Sequence, residues 1–263
     1  MSTPPIFNLI RGQAPILVSF PHSGTFLPPA IASRMTPEAL AMSDTDWHVP
    51  QLYKFIDGMG ASRLEATHSR YVVDLNRPPG DEELYPGQKK TGLVPLETFK
   101  GEPLYREGNA LTPEEIVSRR VYWQPYHDAL AQELSRLKAI HGSVILWDAH
   151  SIESEIPALF EGRLPDLNLG TFDGKSCDRD LVEKTLTVAQ QSGFSVVLNG
   201  RFKGGYITRH YGAPKKGVQA IQLEMAQAIY MDEGAPFTFR PDRAAKVTTT
   251  IRNMIKATLN ELV

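Results

Sequence analysis

Residues 143–153 read SVILWDAHSIE. A short aliphatic run, Val144 to Trp147, stops abruptly at Asp148, Ala149, His150 and Ser151. A run of this length bounded by polar residues has the pattern of a strand covered on both faces. An acid, an imidazole and a hydroxyl at its end suit a crevice, because open α/β sheets bind ligands outside the carboxyl ends of their strands. Similar runs recur on either side: PILVSF (15–20), RYVVDL (70–75), FSVVL (194–198) and VQAIQL (218–223). Helical patterns lie between and after them. Thr112-Pro113-Glu114-Glu115 forms a capping box with proline at the first helical position. It opens an amphipathic stretch that reaches Gly142, with an interruption expected at Pro125. A second helix is expected over 178–192, with Leu181, Val182 and Leu186 on one face. A third carries Val247, Ile251, Met254, Ile255 and Leu259. The alternation predicts one three-layer α/β domain over residues 1–263, with a mixed, largely parallel sheet and helices on both faces.

Composition narrows the function classes. The chain has 263 residues and a formal net charge of −2, so it has neither the basic bias of a nucleic-acid binder nor a polybasic membrane patch. A single cysteine, Cys177, excludes an internal disulfide framework and a multi-cysteine zinc site. The opening MSTPPIFNLIRGQAP lacks a basic start followed by an apolar core, and no apolar run approaches the ~20 residues that cross a bilayer. The cytosol is the expected compartment. Residues 76–111 hold five prolines and five glycines without a sustained period. A loop of that length is either a lid or binding loop or a surface excursion.

Polar residues gather where apolar runs stop. His22 and Ser23 follow PILVSF, Asn76 and Arg77 follow RYVVDL, and Glu224 closes VQAIQL. With His150 these could converge on one crevice. Imidazole and carboxylate suit Zn²⁺, which at catalytic sites keeps three protein ligands and an open position. His22 and His150 are the natural imidazole ligands. The segment SDTDWHV (43–49) offers Asp44, Asp46 and His48, and Asp46 is chosen as the third. Glu224 is then left as general base. Structural roles compete for each residue: Asp44 or Asp46 as a helix cap, Glu224 paired with a cation, and Arg77 paired with Asp74 or Asp81. His48, His68, His127 and His141 are read as structural. A serine hydrolase using Ser23 or Ser151 is disfavoured, since no G-x-S-x-G elbow is present.

PHSG (21–24), DLNR (74–77), WDAHS (147–151) and QLEMA (222–226), in that order, resemble the zinc carboxypeptidase and aspartoacylase superfamily. The resemblance implies a zinc-carboxypeptidase-like fold, His22 and His150 as zinc ligands, Asn76 and Arg77 on a substrate carboxylate, and Glu224 as catalytic base. The superfamily's acidic ligand follows the first histidine by three residues. That position here is Thr25, so the carboxylate must come from elsewhere.

A closer resemblance is to the N-formylglutamate amidohydrolases of histidine degradation. It is carried by SFPHSGTFLP (19–28), SDTDWHVPQLY (43–53), YVVDLNRPP (71–79), LYPGQ (84–88), WDAHSI (147–152) and GGYITRHYG (204–212), across roughly residues 15 to 230. It implies hydrolysis of N-formyl-L-glutamate to L-glutamate and formate, with one Zn²⁺ per chain or another divalent metal. The substrate is a small molecule with two carboxylates, which favours arginine's planar fork. Arg77 is the first clamp expected; NGRFKGGYITRHYG (199–212) supplies Arg201, Arg209, Tyr206 and His210, of which Arg209 is taken as the second clamp, with Tyr206. A deacylase or carboxypeptidase-like hydrolase acting on another acyl-amino acid is the alternative.

Overall fold

The computed structural model describes residues 3–80, 82 and 92–262. The LYPGQ motif and part of the 76–111 loop lie outside the described residues.

Seven strands form one mixed sheet. They are β1 (Phe7–Ile10), β2 (Ile16–Phe20), β3 (Ser62–Ala66), β4 (Val144–Ile152), β5 (Leu167–Gly170), β6 (Val196–Leu198) and β7 (Val218–Ala226), in the order β1-β3-β2-β4-β7-β5-β6. The central strands β3, β2, β4 and β7 are mutually parallel. β1 joins β3 antiparallel, and β5 joins β7 antiparallel while running parallel to β6. Three one-turn helices, α1 (Pro29–Ala32), α2 (Pro37–Leu40) and α3 (Val49–Leu52), follow β2. The later helices are α4 (Pro113–Ser118), α5 (Arg120–His141), α6 (Arg179–Gln191), α7 (Tyr206–Tyr211) and α8 (Pro241–Leu262). Among the described residues no helix is long and apolar enough to cross a membrane.

The sheet is apolar on both faces because successive side chains point in opposite directions. Ile145, Trp147, Ile221 and Leu223 face one core with Val247, Ile251 and Met254 of α8 and Leu181 of α6. Val144, Leu146 and Ala220 face the other, with Trp123, Tyr126, Leu130 and Leu134 of α5. All nine residues of β4 are buried, as a strand with a parallel neighbour on each side and helices on both faces requires. Each large aliphatic side chain so buried contributes about 1.5–3 kcal/mol.

Four of the five expected strands form, and β4 and β7 run past their apolar stretches into the polar residues. RYVVDL does not. Residues 70–75 are buried but turn: Val72 N–H donates to Ser69 O (2.8 Å) and Asp74 N–H to Leu93 O (2.8 Å). Their side chains divide between two cores, Tyr71 and Val72 in one and Val73 and Leu75 in another. The sheet position is taken instead by β3, whose SRLEA alternates buried and half-buried residues without a long apolar run. The helix opened by the Thr112 capping box breaks at Arg119 rather than at Pro125, which sits inside α5.

Candidate metal centre and catalytic cavity

The parallel strands deliver the site. β2 ends two residues before His22, and β4 and β7 carry Asp148, His150, Gln222 and Glu224 at their carboxyl ends. Asp148 is paired in register with Gln222, and His150 with Glu224. The period of two puts all four side chains on one face. The turn after β3 adds Arg70, Asp74 and Asn76. A cavity of about 710 Å³, including its open mouth, lies over these strand ends.

His22, Asp46 and His150 each present one ligand atom within 4.8 Å of the others, and all three are buried. Asp46 Oδ2 lies 3.0 Å from His150 Nδ1 and 3.8 Å from His22 Nδ1. Ligand atoms of a tetrahedral zinc stand about 3.3 Å apart, so the donor set is of the right size. The outer ring nitrogens support it. His22 Nε2 is 2.7 Å from Asp74 Oδ1, and His150 Nε2 is 3.0 Å from Asp148 Oδ2. A carboxylate on the outer nitrogen holds that proton there and leaves the Nδ1 lone pair for a cation.

Asn76 fixes this arrangement. Its Oδ1 accepts from Ile207 N–H (2.8 Å), so its Nδ2 faces the site and donates to Asp148 Oδ2 (3.2 Å). Two donors, Asn76 Nδ2 and His150 Nε2, thus share one carboxylate oxygen, which explains their own approach to 3.0 Å. Asp74 is equally occupied: Arg70 Nη2 donates to Oδ2 at 2.8 Å and Asn76 N–H to Oδ1 at 2.8 Å. Arg70 lies 4.0 Å from Asp46 Oδ1 and stacks over Phe99, with its Cζ 4.6 Å from the ring centre.

The electrostatics suit a cation. Burial, then Arg70, lowers the His22 pKa, which favours the neutral imidazole a metal needs. Burial also pulls on His150, but Asp148 and Asp46 outweigh it and raise its pKa well above the ordinary value. Two carboxylates flanking one ring form a place for positive charge. Burial pushes Glu224 up to about 8, with Asp46 acting in the same direction and His150 and Arg70 opposing. Gln222 Oε1 accepts from Gly205 N–H (2.7 Å), which turns its Nε2 toward Glu224 Oε2 (3.4 Å).

The expected site residues divide. His22, Asp46, Asn76, Arg77, His150 and Glu224 all line the cavity. Arg209 and Tyr206 are not among the lining residues. Arg209 Nε donates to Gly204 O (2.7 Å) and its guanidinium lies 4.6 Å over Phe172, while Tyr206 stacks on His210. Asp44 is engaged elsewhere, accepting from Phe99 N–H (2.8 Å) and so bringing part of the 76–111 loop to the cavity. His48 meets Phe237 O through Nε2 (2.7 Å). Arg201, offered by the same segment as Arg209 but not chosen as the clamp, lines the cavity, as do Arg70, Phe99, Phe202 and Gln222, which sequence reasoning missed. Only Gln222, two residues before Glu224 on a strand, carried a usable signal.

Known proteins resemble this one over nearly its whole length. The family model described as N-formylglutamate amidohydrolase matches residues 14–231. N-formylglutamate deformylase of Pseudomonas aeruginosa is 52% identical over 256 residues, covering 97% of this chain and 96% of its own. The deformylase of Pseudomonas putida is 49% identical, with coverage of 97% and 96%. The crystal structure of N-formylglutamate amidohydrolase from Ralstonia eutropha JMP134 superposes with a TM-score of 0.82 at 27% identity, covering 97% of this chain and 96% of that one.

Proposed function

The chain belongs to the N-formylglutamate amidohydrolase family, and on that premise we propose that it is a zinc-dependent enzyme hydrolysing N-formyl-L-glutamate to L-glutamate and formate. The proposal includes a cytosolic role in histidine degradation. The observation that carries it is the meeting of His22, Asp46 and His150 beside Glu224, in a cavity also lined by arginines.

His22, Asp46 and His150 would hold the metal through Nδ1, Oδ2 and Nδ1. A zinc there supplies Lewis acidity, polarising a carbonyl and bringing the pKa of water toward ~7. Glu224 takes a proton from the attacking water as its oxygen adds to the formyl carbon. The same carboxyl then delivers that proton to the amide nitrogen as the C–N bond breaks, so glutamate leaves as a neutral amine and the water oxygen remains in formate. Gln222 orients Glu224 for both transfers. Arg70, beside Asp46 and locked to Asp74, faces the negative charge that develops on the formyl oxygen. A fixed donor in that position is worth about 3–4 kcal/mol. Asn76 and Arg77 take a substrate carboxylate, and Phe99 closes the cavity over Arg70.

The test is formate release from N-formyl-L-glutamate, measured beside N-acetyl-glutamate and C-terminal glutamyl peptides, with metal content determined on the same sample. The expected result is about one zinc per chain, turnover of the formyl substrate above the others, and loss of turnover with a chelator. Full activity in metal-free protein would overturn the metal reading. Turnover of only the acetyl or peptide substrates would favour the broader deacylase or carboxypeptidase-like assignment.

A further inference from the structure

The three arginines that line the cavity differ in what they already hold. Arg70 is tied to Asp74 at 2.8 Å. Arg77 Nη1 donates to Asn76 O (3.3 Å) and stays with the DLNR turn. Arg201 is half-buried, and its guanidinium makes no hydrogen bond, ion pair or ring contact with any described residue. Neighbouring cations do find acids: Lys203, two residues on, is 3.1 Å from Asp173.

The backbone beside Arg201 is held in place. Gly205 N–H donates to Gln222 Oε1 (2.7 Å), Tyr206 N–H to Asn76 O (3.2 Å), and Phe172 N–H to Lys203 O (2.6 Å). Gly204 has φ +106, and a Cβ on Gly205 would stand 2.4 Å from the Asn76 amide. The segment is therefore docked against the same Asn76 and Gln222 that orient His150 and Glu224. Phe202, next to Arg201, packs with Ile152 and Leu159, and all three line the cavity. An apolar wall beside a guanidinium with no partner among the described residues, on a fixed backbone, matches a short methylene chain that ends in a carboxylate.

We propose that Arg201, rather than Arg209, receives the side-chain carboxylate of the substrate, so that it selects N-acyl derivatives of acidic amino acids over neutral ones. This rests on the amidohydrolase reading above. Arg201 acts on specificity and has no part in the proton transfers at Glu224.

Steady-state kinetics of the wild type, Arg201→Gln and Arg201→Lys on N-formyl-L-glutamate and on N-formyl-L-glutamine test it. The two substrates differ only in the charge of the distal group. Arg201→Gln should lower kcat/KM for the dicarboxylate by about 10- to 100-fold, mainly through KM, as expected for loss of a charged hydrogen bond. The amide substrate should change by less than about threefold, and Arg201→Lys should recover part of the loss. Because Arg201 has no partner among the described residues, the melting temperature should not move. Equal losses on both substrates, or no loss on either, would overturn the assignment. A wild type inactive on N-formylglutamate but active on another acyl-amino acid would refute the substrate reading alone. The same acid-against-amide comparison on that substrate would then support or overturn Arg201.

Discussion

Replacing His127 should flatten the acid sensitivity of this protein by an amount its surroundings specify. The imidazole sits on α5 at 2% exposure. Its Nε2 donates to Leu75 O (2.8 Å), its Nδ1 accepts from the Tyr211 hydroxyl (2.9 Å), and Trp123 stacks on the ring at 3.7 Å. The neutral ring is fully satisfied. Burial pushes its pKa down from 6.5 to about 3, with the Leu75 hydrogen bond and Asp128 opposing and His210 adding to the fall. On unfolding the ring returns to about 6.5. Between those values the unfolded chain binds a proton that the folded chain refuses, so stability rises with pH across the window. The contribution is complete above about pH 6.5 and is lost progressively as pH falls toward 3. Each pH unit inside the window is worth about 1.4 kcal/mol, so moving from pH 7 to pH 5 removes roughly 2 kcal/mol. For a chain of this length that is about 4 °C in Tm. Gln at 127 can replace the ring's donor and acceptor but does not titrate. Urea unfolding of wild type and His127→Gln at pH 7, 6 and 5, at fixed metal content, gives the comparison. The wild type should lose about 2 kcal/mol more than the variant over that range. Parallel pH profiles would refute the account. The consequence reaches the cavity, because the carbonyl that His127 holds belongs to Leu75, between Asp74 and Asn76.

On the proposed mechanism Glu224→Gln should leave the metal bound and lower kcat by about 100-fold or more, since the amide cannot carry the proton; single-turnover formate release checks it, and retained turnover removes Glu224 from the role of base. Asp74→Asn should weaken metal binding at the proposed site about 10- to 100-fold by loosening the His22 ring, read by competition with a fluorescent chelator. The same change strips Arg70 of its buried partner and should lower stability by about 3–5 kcal/mol. Unchanged metal affinity would show that His22 is positioned by something else.

Much of the site was legible because strand ends announce themselves. An apolar run that stops at a histidine or a carboxylate is a local pattern, and His22, His150 and Glu224 each show it. Asp46 could be proposed but not separated from Asp44 by spacing alone. The separation comes from through-space partners: Asp44 turns to Phe99 N–H, and Asp46 faces both imidazoles. Asp74 entered the sequence reading only as a partner for Arg77, whereas through space it also joins His22 to Arg70.

The amino-acid sequence by itself determined the class of fold, the two long faces of the sheet and the identity of the chemically able residues, because hydrophobic period and residue type are local properties of the chain. Tertiary structure alone decided that RYVVDL turns instead of pairing, that SRLEA enters the sheet, that Arg209 lies on Phe172 and that Arg201 lines the cavity. Those outcomes depend on which distant segment reaches a given carbonyl, ring or guanidinium first. No period along the chain encodes that competition; only the packed arrangement of strands β2, β4 and β7 resolves it.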